Sequence, residues 1–175
     1  MTLPVSEIVS QHAGYVWRVL AHLGVPESQL KDSSQEVFLI ALRRIDQFEA
    51  RSSLRTWLFG ICRNLAADHR RRASVRHEVV TDELPETVVL PAQEGALWAK
   101  RAYRQLLRAL DALSDEPREV FVLFEIEQLG MEEIAAITGA PLRTCYSRLE
   151  AARAKVRAQL KREEHLAPVR REVSR

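Results

Sequence analysis

Apolar residues along the chain recur every three or four positions, as on one face of a helix, and do not alternate as they do in strands. In the first half this spacing predicts three helices, over residues 6–23, 32–45 and 54–72. In the second half it predicts helices over about 95–113, 115–127, 131–138 and 142–160. Asp32, Ser33 or Ser34 is predicted to cap the second helix. No segment favours a strand strongly enough to predict one, so the predicted fold class is all-α.

The helical pattern stops between residues 73 and 95, where acidic side chains accompany Pro85 and Pro91. Residues 73–100 carry five acidic and two basic side chains, a net charge of −3. A Pro-interrupted charged stretch between two periodic regions is typical of a linker. We therefore predict two small helical domains, at 5–72 and 96–160, joined by a flexible acidic linker at 73–95. Residues 161–175 are predicted to form a charged, frayed tail.

The overall charge limits how the protein could bind DNA. The 175 residues include 26 basic and 24 acidic side chains, which gives a net charge of +2. A protein that holds DNA alone through many phosphate contacts is normally far more basic. We therefore expect that DNA binding by this chain would depend on a partner.

Other functional classes find little support in the sequence. The two cysteines, Cys62 and Cys145, have no Cys or His at metal-ligand spacing, so we predict buried apolar thiols in a reducing cytoplasm and no metal. No Gly-rich phosphate loop or nucleophilic Ser motif is present, so no catalytic residue, cofactor or small-molecule substrate is predicted. No run of 18 apolar residues and no N-terminal secretion signal is visible, which favours a cytoplasmic protein.

Residues 131–149 have the pattern of a helix-turn-helix. Gly139 follows Ala135 by four positions, and a glycine there can adopt the positive φ that such a turn needs. The apolar residues predicted to pack between the two helices are Ile134, Ile137, Leu142, Cys145 and Leu149. The second helix would then expose side chains suited to a major groove, namely Arg143, Thr144, Tyr146, Ser147 and Arg148. An ordinary helical hairpin with solvated polar residues is the alternative interpretation.

A second motif spans residues 46–72. A polar loop containing Ser52 and Ser53 precedes a helix whose apolar face is anchored by Trp57 and whose other face carries arginines. Extruded bases of single-stranded DNA are bound by this combination of aromatic, hydroxyl and cationic groups. Plain packing of Trp57 and Phe48, with a solvated arginine face, is the alternative.

Four segments carry a family resemblance when they are taken in order. They are the stretch 32–48, which begins Asp-Ser-Ser-Gln-Glu-Val-Phe, the Trp-bearing stretch 53–72, the stretch 109–123, and the helix-turn-helix 129–149. Together they resemble the extracytoplasmic-function group of the sigma-70 family of RNA polymerase sigma factors. The resemblance covers about residues 5–72 and 96–160.

The resemblance implies an alternative sigma factor that binds core RNA polymerase and directs promoter-specific initiation. It implies that the polymerase clamp is bound by Asp32, Gln35, Glu36 and Phe38. It implies contacts with the −10 element, which the first domain would melt, by Arg44, Phe48, Arg51, Ser52, Ser53, Arg55, Trp57, Arg63, Asn64, Arg70 and Arg71. It implies contacts with the −35 element by Arg143, Thr144, Tyr146, Ser147, Arg148 and Arg153.

Further partners follow from the same resemblance. The second domain would also bind the polymerase flap, and the acidic linker would enter the polymerase cleft. An anti-sigma factor is expected to silence the protein, and it would hold an otherwise cytoplasmic chain at the membrane if it is itself membrane-borne.

The sequence also departs from the family pattern. Tyr146 stands where Lys is common and Glu150 where His is common, so the −35 preference is open. Glu150 could repel the DNA backbone or accept a hydrogen bond from cytosine N4. The main alternative function is a stand-alone helix-turn-helix regulator, which would need intrinsic DNA affinity and usually a symmetric dimer. A helical adaptor that binds only proteins is a further alternative.

Overall fold

The computed structural model describes the backbone of residues 5–48, 53–76 and 94–172, and every regular element in these ranges is helical. The predicted all-α fold class is therefore confirmed. The chain divides into two compact units, Met1–Pro85 and Glu86–Arg175. The first contains α1 (Val5–His22), α2 (Glu27–Arg44), a 3₁₀ turn (Ile45–Gln47) and α3 (Leu54–Arg76). The second contains α4 (Glu94–Asp111), α5 (Asp115–Phe121), a π-helical segment (Val122–Ile126), α6 (Met131–Thr138) and α7 (Leu142–Glu172).

The N-terminal unit is a bundle in which α1, α2 and α3 all pack against one another. Its core consists of fully buried aliphatic and aromatic side chains, among them Val16, Val19, Leu20, Val37, Leu58 and Phe59. Burying each such side chain contributes about 1.5–3 kcal/mol to folding. His22 also lies in this core, where burial, reinforced by the nearby charge of Arg18, lowers its pKa to about 4. The imidazole is therefore neutral at physiological pH.

Helix α2 begins at Glu27, so the predicted start and cap near residues 32–34 are wrong. Pro26 occupies the N-cap position with an extended backbone, and the helix does not continue before it because proline has no amide hydrogen to donate. The first turn contains few apolar residues, so the apolar periodicity did not reveal it. Ser33 consequently lies within the helix, buried, and its hydroxyl is 3.0 Å from Nε2 of His69 on α3. This hydrogen bond joins α2 to α3.

In the C-terminal unit, α4, α5 and α6 pack against α7. The core includes Leu110, Val120, Leu123, Ile134, Cys145, Leu149 and Ala152. The prediction that Leu142 is buried is wrong, because 41% of this residue is exposed. Leu142 lies on the same side of α7 as the buried Leu149, seven residues later, but it is the first residue of the helix and has no preceding helical turn to cover it.

A buried arginine joins α4 to α5. The Arg118 side chain is only 5% exposed, and its Nε donates a hydrogen bond of 2.8 Å to the carbonyl of Leu110. Its Nη2 also donates to that carbonyl and, at 2.8 Å, to the carboxylate of Asp111. Leu110 lies in the last turn of α4, where carbonyls have no partner within the helix. Arg118 therefore caps α4 from the neighbouring helix.

The helix begun by α5 changes its winding before it ends. Residues 122–126 form a π-helical turn, in which the backbone amide of Glu127 donates to the carbonyl of Val122 at 3.0 Å. Gln128 then adopts a φ of 57°, and the Leu129 amide donates to the Leu123 carbonyl at 3.0 Å. The helix break predicted at residues 128–130 thus coincides with Gln128, whose backbone is in the left-handed conformation.

The outer bounds of α3 and α7 differ from the prediction. Helix α3 extends to Arg76, and residues 77–93 of the predicted linker lie outside the described ranges. Helix α7 continues to Glu172, so most of the predicted tail is helical. Lys, Arg, Glu and Ala in this stretch are strong helix formers even without an apolar face, which is why hydrophobic periodicity placed the end near Leu160.

The turn between α6 and α7 provides a stability test. Gly139 ends α6 with a φ of 70°, and its amide donates to the Ala135 carbonyl at 2.9 Å. We expect Gly139→Ala to lower the free energy of unfolding of the C-terminal unit by about 1 kcal/mol, because a Cβ disfavours left-handed backbone. Amide hydrogen exchange in α6 and α7 would measure this loss. Unchanged protection of these amides would contradict the assigned conformation.

Helix α3 offers the opposite test with the same substitution. Gly60 lies in the helix interior, and a Cβ added there meets no atom within 4 Å. We expect Gly60→Ala to raise the stability of the N-terminal unit by about 1 kcal/mol, since alanine loses less backbone entropy on folding. Hydrogen exchange of the α3 amides should show slower opening. A loss of stability would mean that this face of α3 has a close neighbour.

Candidate nucleic-acid interface

One polar face of α2 carries three of the four side chains predicted to bind polymerase. Asp32, Gln35 and Glu36 are all exposed. Phe38 is 8% exposed and belongs to the core instead. Its neighbour Leu39 is 54% exposed and lies seven residues after Asp32, on the same side of the helix. Leu39 was not among the predicted polymerase-binding residues, although its spacing from Asp32 and Glu36 is visible in the sequence.

An aromatic pair borders the loop between α2 and α3. The ring centroids of Phe48 and Trp57 are 5.3 Å apart with an interplanar angle of 45°, and both side chains are half-buried. Phe48 ends the 3₁₀ turn, with its amide bonded to the Ile45 carbonyl at 3.0 Å. A partly exposed aromatic ring can stack against a nucleic-acid base whatever the identity of that base. The adjacent residues 49–52, which include the predicted Arg51 and Ser52, lie outside the described ranges.

Ser53 has a structural part in this site. Its Oγ accepts a hydrogen bond of 3.1 Å from the Thr56 amide, and its carbonyl accepts one of 3.1 Å from the Trp57 amide. This arrangement caps the N-terminus of α3, an interaction worth about 1 kcal/mol. The cap therefore fixes the turn of helix that carries Trp57.

Several of the predicted −10 cations make contacts within the chain. The guanidinium of Arg55 lies 4.4 Å from the centroid of the Tyr15 ring, and the Tyr15 hydroxyl donates to the Arg55 carbonyl at 3.1 Å. Arg70 donates to the carbonyl of Leu23, just beyond α1, and Arg71 pairs with Asp68. The remaining predicted side chains of this group are the exposed Arg44 and Asn64 and the half-buried Arg63.

The C-terminal unit presents the predicted helix-turn-helix as α6 and α7. With Cys145 and Leu149 buried, the opposite side of α7 exposes Arg143 and Ser147. Tyr146 is 53% exposed beside them. Thr144 is half-buried, and its carbonyl accepts a hydrogen bond of 2.9 Å from the Ser147 hydroxyl. An outward face of Arg, Ser and Tyr can contact both phosphates and base edges.

Arg148 contacts another helix of the same unit. Its Nη2 is 2.6 Å from Oε2 of Glu116, in the first turn of α5, and its side chain is 21% exposed. This ion pair joins α7 to α5 at the side of the recognition surface. Glu116 was not predicted to contribute to this surface, because no local sequence pattern indicates that it meets Arg148.

Arg153 lies in a cluster of side chains from two elements. Its Nε is 2.7 Å from Oε1 of Glu125 in the π-helical segment, and its Nη1 is 3.0 Å from Oε1 of Glu150. Its guanidinium also lies 5.4 Å from the centroid of the Phe124 ring. The hydrogen bonds to Glu125 and Glu150 raise the pKa of Arg153. Glu125, Arg153 and Glu150 therefore form one connected cluster of charged side chains.

Two further observations concern metal binding and membrane-spanning helices in the parts of the chain that the structure describes. No group of three or more His, Cys, Asp or Glu side chains there could hold a metal ion. No helix within those parts is long and apolar enough to cross a membrane.

An all-α chain with a partly exposed aromatic pair in one unit and a helix-turn-helix in the other has the architecture of a two-domain DNA-binding protein. Family models agree with this division: the description "Sigma-70 region 2" matches residues 8–76, and "Sigma-70, region 4" matches residues 103–156. The chain is 35% identical to the ECF RNA polymerase sigma factor SigC of Mycobacterium tuberculosis, over 79% of this chain and 73% of that protein. It is 37% identical to the ECF sigma factor EcfG of Rhodopseudomonas palustris, over 74% and 70% of the two chains.

The chain belongs to the sigma-70 family, as an extracytoplasmic-function sigma factor. Two solved structures have the same fold. One is the sigma factor RpoE in complex with the anti-sigma factor NepR from Bartonella quintana, with a TM-score of 0.69, 26% identity and coverage of 89% and 96% of the two chains. The other is CnrH in complex with the cytosolic domain of CnrY, with a TM-score of 0.65, 25% identity and coverage of 90% and 87%.

Proposed function

We propose that this chain is an alternative sigma factor that binds core RNA polymerase and selects promoters through two DNA-contacting surfaces. The observation that carries the proposal is that the family models for regions 2 and 4 each match one compact unit. Each unit also exposes side chains suited to the polymerase or DNA contacts proposed for it. We assign residues 5–72 to region 2, 73–95 to an acidic linker, 96–160 to region 4 and 161–175 to a charged tail.

The exposed face of α2 binds the polymerase in this proposal. Asp32, Gln35 and Glu36 supply polar contacts, and Leu39 supplies an apolar one immediately beyond them on the same face. An apolar side chain surrounded by polar groups is the usual composition of an interface hot spot. Phe38 supports this face from beneath, because it packs in the core of the N-terminal unit.

The surface around Phe48 and Trp57 binds the −10 element once its bases are unpaired. Either ring can stack a base, and Arg44 and Asn64 are exposed to contact the backbone. Arg55 and Arg63 add positive charge along α3, since a guanidinium remains charged when it contacts a ring. Arg70 and Arg71 would contact the DNA backbone further along α3, where Arg71 is paired with Asp68. Arg51, Ser52 and Ser53 complete the predicted loop, in which Ser53 also caps α3.

The face of α7 with Arg143, Thr144, Tyr146 and Ser147 enters the major groove of the −35 element. Arg148 flanks this face and stabilises it through Glu116. The near-neutral charge of the chain fits this assignment, because a sigma factor binds promoters as part of the polymerase and does not need to bind DNA unaided. The opposite surface of region 4 is assigned to the polymerase flap.

We further propose that an anti-sigma factor binds this chain and controls it. The proposal is supported by the likeness to RpoE and CnrH, which were solved with NepR and with CnrY. The chain itself would act in the cytoplasm, held at the membrane when its anti-sigma factor is membrane-borne. We assign it no catalytic activity, no cofactor and no small-molecule substrate, since transcription is catalysed by the polymerase.

The proposal is tested by in vitro transcription with the cognate core polymerase on a library of random upstream sequences, with and without this chain. Start sites that appear only when the chain is added, with two shared upstream elements, are the expected result. Absence of new start sites together with absence of core binding in a pull-down would overturn the proposal. Sequence-specific gel shifts by the chain alone would instead indicate a stand-alone regulator.

A further inference from the structure

The outward face of α7 carries an acidic side chain among small ones. Glu150 is 68% exposed and follows Arg143 by seven residues and Ser147 by three. The exposed residues next to it on the same face are Ala151 and Ala154. Small neighbours allow the helix backbone to approach a groove closely, so Glu150 is the side chain in this turn that can extend furthest toward base edges.

Glu150 is oriented by a second element of the unit. Its Oε1 accepts a hydrogen bond of 3.0 Å from Arg153, and Arg153 donates one of 2.7 Å to Glu125. Glu125 lies 28 residues from Arg153, in the π-helical segment, and Phe124 of the same segment lies beneath the guanidinium at 5.4 Å. Two ion pairs and a ring contact thus fix Arg153, and Arg153 in turn restricts the rotamer of Glu150.

The charge of this arrangement suits a groove. A lone carboxylate near DNA would be repelled by the phosphates, and the Arg153 guanidinium at hydrogen-bond distance reduces that repulsion, although Glu125, Arg153 and Glu150 together keep a net charge of −1. The carboxylate accepts hydrogen bonds only, and its second oxygen provides further acceptor capacity. In the major groove, cytosine offers the N4 amino donor, whereas adenine places the N7 acceptor beside its amino group. Glu150 is therefore matched to cytosine.

We propose that Glu150 reads a cytosine in the upstream promoter element and that Arg153 and Glu125 are the residues that position it. The inference rests on the proposed function, because it requires that α7 enters the −35 major groove. It gives Arg153 the part of positioning Glu150, instead of the direct −35 contact that the family resemblance implied. It also assigns a part in DNA specificity to Glu125, which lies outside the helix-turn-helix.

The test uses holoenzyme made with the cognate core polymerase and promoters randomised across the upstream element. Wild-type protein should enrich cytosine at one position of transcribed promoters. Glu150→Gln should lower that enrichment about tenfold and raise adenine there, because a carboxamide pairs with adenine. Glu125→Gln and Arg153→Ala should lower the cytosine enrichment several-fold while the preferences at other positions stay. Glu163→Gln removes the same charge about 20 Å further along α7 and should change nothing.

Three results would count against the inference in distinguishable ways. If wild-type protein shows no cytosine preference that depends on Glu150, the base contact is absent. If Glu150→Gln raises transcription from all sequences equally, the carboxylate only repels the phosphates. If Glu125→Gln leaves the cytosine enrichment unchanged while Glu150→Gln abolishes it, the positioning part is overturned. If wild-type protein yields no promoter-specific start sites at all, the proposed function itself fails.

Discussion

Replacing Arg118 with methionine is expected to lower the free energy of unfolding of the C-terminal unit by about 1.5–3 kcal/mol, because its hydrogen bonds from a charged group are lost. Methionine retains much of the length and apolar volume of arginine, but it cannot donate to the Leu110 carbonyl or to Asp111. The last turn of α4 then loses the part of its cap that Arg118 supplies, and the Leu110 carbonyl keeps only the hydrogen bond of 3.0 Å from the Leu113 amide. Amide hydrogen exchange in α4 and α5 measures the loss within the full-length chain.

Arg108→Met is the matched control for this prediction. Arg108 is one turn before the end of α4 and exposed, so the substitution should change stability by less than about 0.5 kcal/mol. The α1–α3 amides should keep their exchange rates in both variants, because Arg118 lies in the other unit. Equal losses for Arg118→Met and Arg108→Met would show that general helix propensity, and not the buried cap, determines the effect.

Leu39→Asp is expected to weaken binding to core RNA polymerase by about tenfold or more, since burial of a leucine at an interface is worth about 1.5–3 kcal/mol. The side chain is 54% exposed in the free chain, so the N-terminal unit should remain folded. Affinity is measured by titrating labelled sigma factor with core polymerase in the absence of DNA. Circular dichroism on the same samples verifies that α2 is intact.

Leu142→Asp provides the comparison for Leu39. It introduces the same charge at another exposed leucine, 41% exposed, which lies at the start of the proposed DNA-reading helix. Core affinity should stay within about twofold of wild type, because an exposed substitution away from an interface costs little. Normal core binding by Leu39→Asp would remove Leu39 from the proposed polymerase surface and leave only the polar side chains of α2.

The helices were largely predictable from the sequence, because apolar spacing reflects which face of each helix is buried. The bounds of α6 were predicted at residues 131–138, where Gly130 and Gly139 mark both ends. The start of α2 was missed because its first turn is polar and begins at Pro26. The end of α7 was missed for a related reason: helix-forming residues continue beyond Leu160 without burying a face.

The candidate site was predictable only as a set of residues on helix faces. Exposure of Asp32, Gln35, Arg143 and Ser147 follows from the helical period alone. The partners of individual side chains do not follow from it, since they come from distant parts of the chain. Arg153 and its partner Glu125 are 28 positions apart, for example, and no local pattern indicates that they meet.

Phe38 and Leu39 show, within one turn of α2, the same limit on what the sequence predicts about the site. Both are apolar neighbours in α2. The helical period groups Phe38 with Val37 and Ala41, whereas the family resemblance assigned Phe38 to the polymerase surface. The structure buries Phe38 and exposes Leu39 because the core-facing row runs through Val37, Phe38 and Ala41. Tertiary packing therefore decides which residue is available to a partner.

If Glu150 contacts a base as proposed, the π-helical turn at Val122–Ile126 makes that contact sensitive to a one-codon deletion outside the recognition helix. A π turn corresponds to one residue inserted into an α-helix. Deleting one residue before Glu125 in this turn would restore the ordinary winding, keep the flanking residues in place and displace Glu125 around the helix axis. Glu125 would then no longer face Arg153. A short deletion at this turn is thus a route by which a duplicated gene could acquire a new set of promoters while its α7 sequence stays the same.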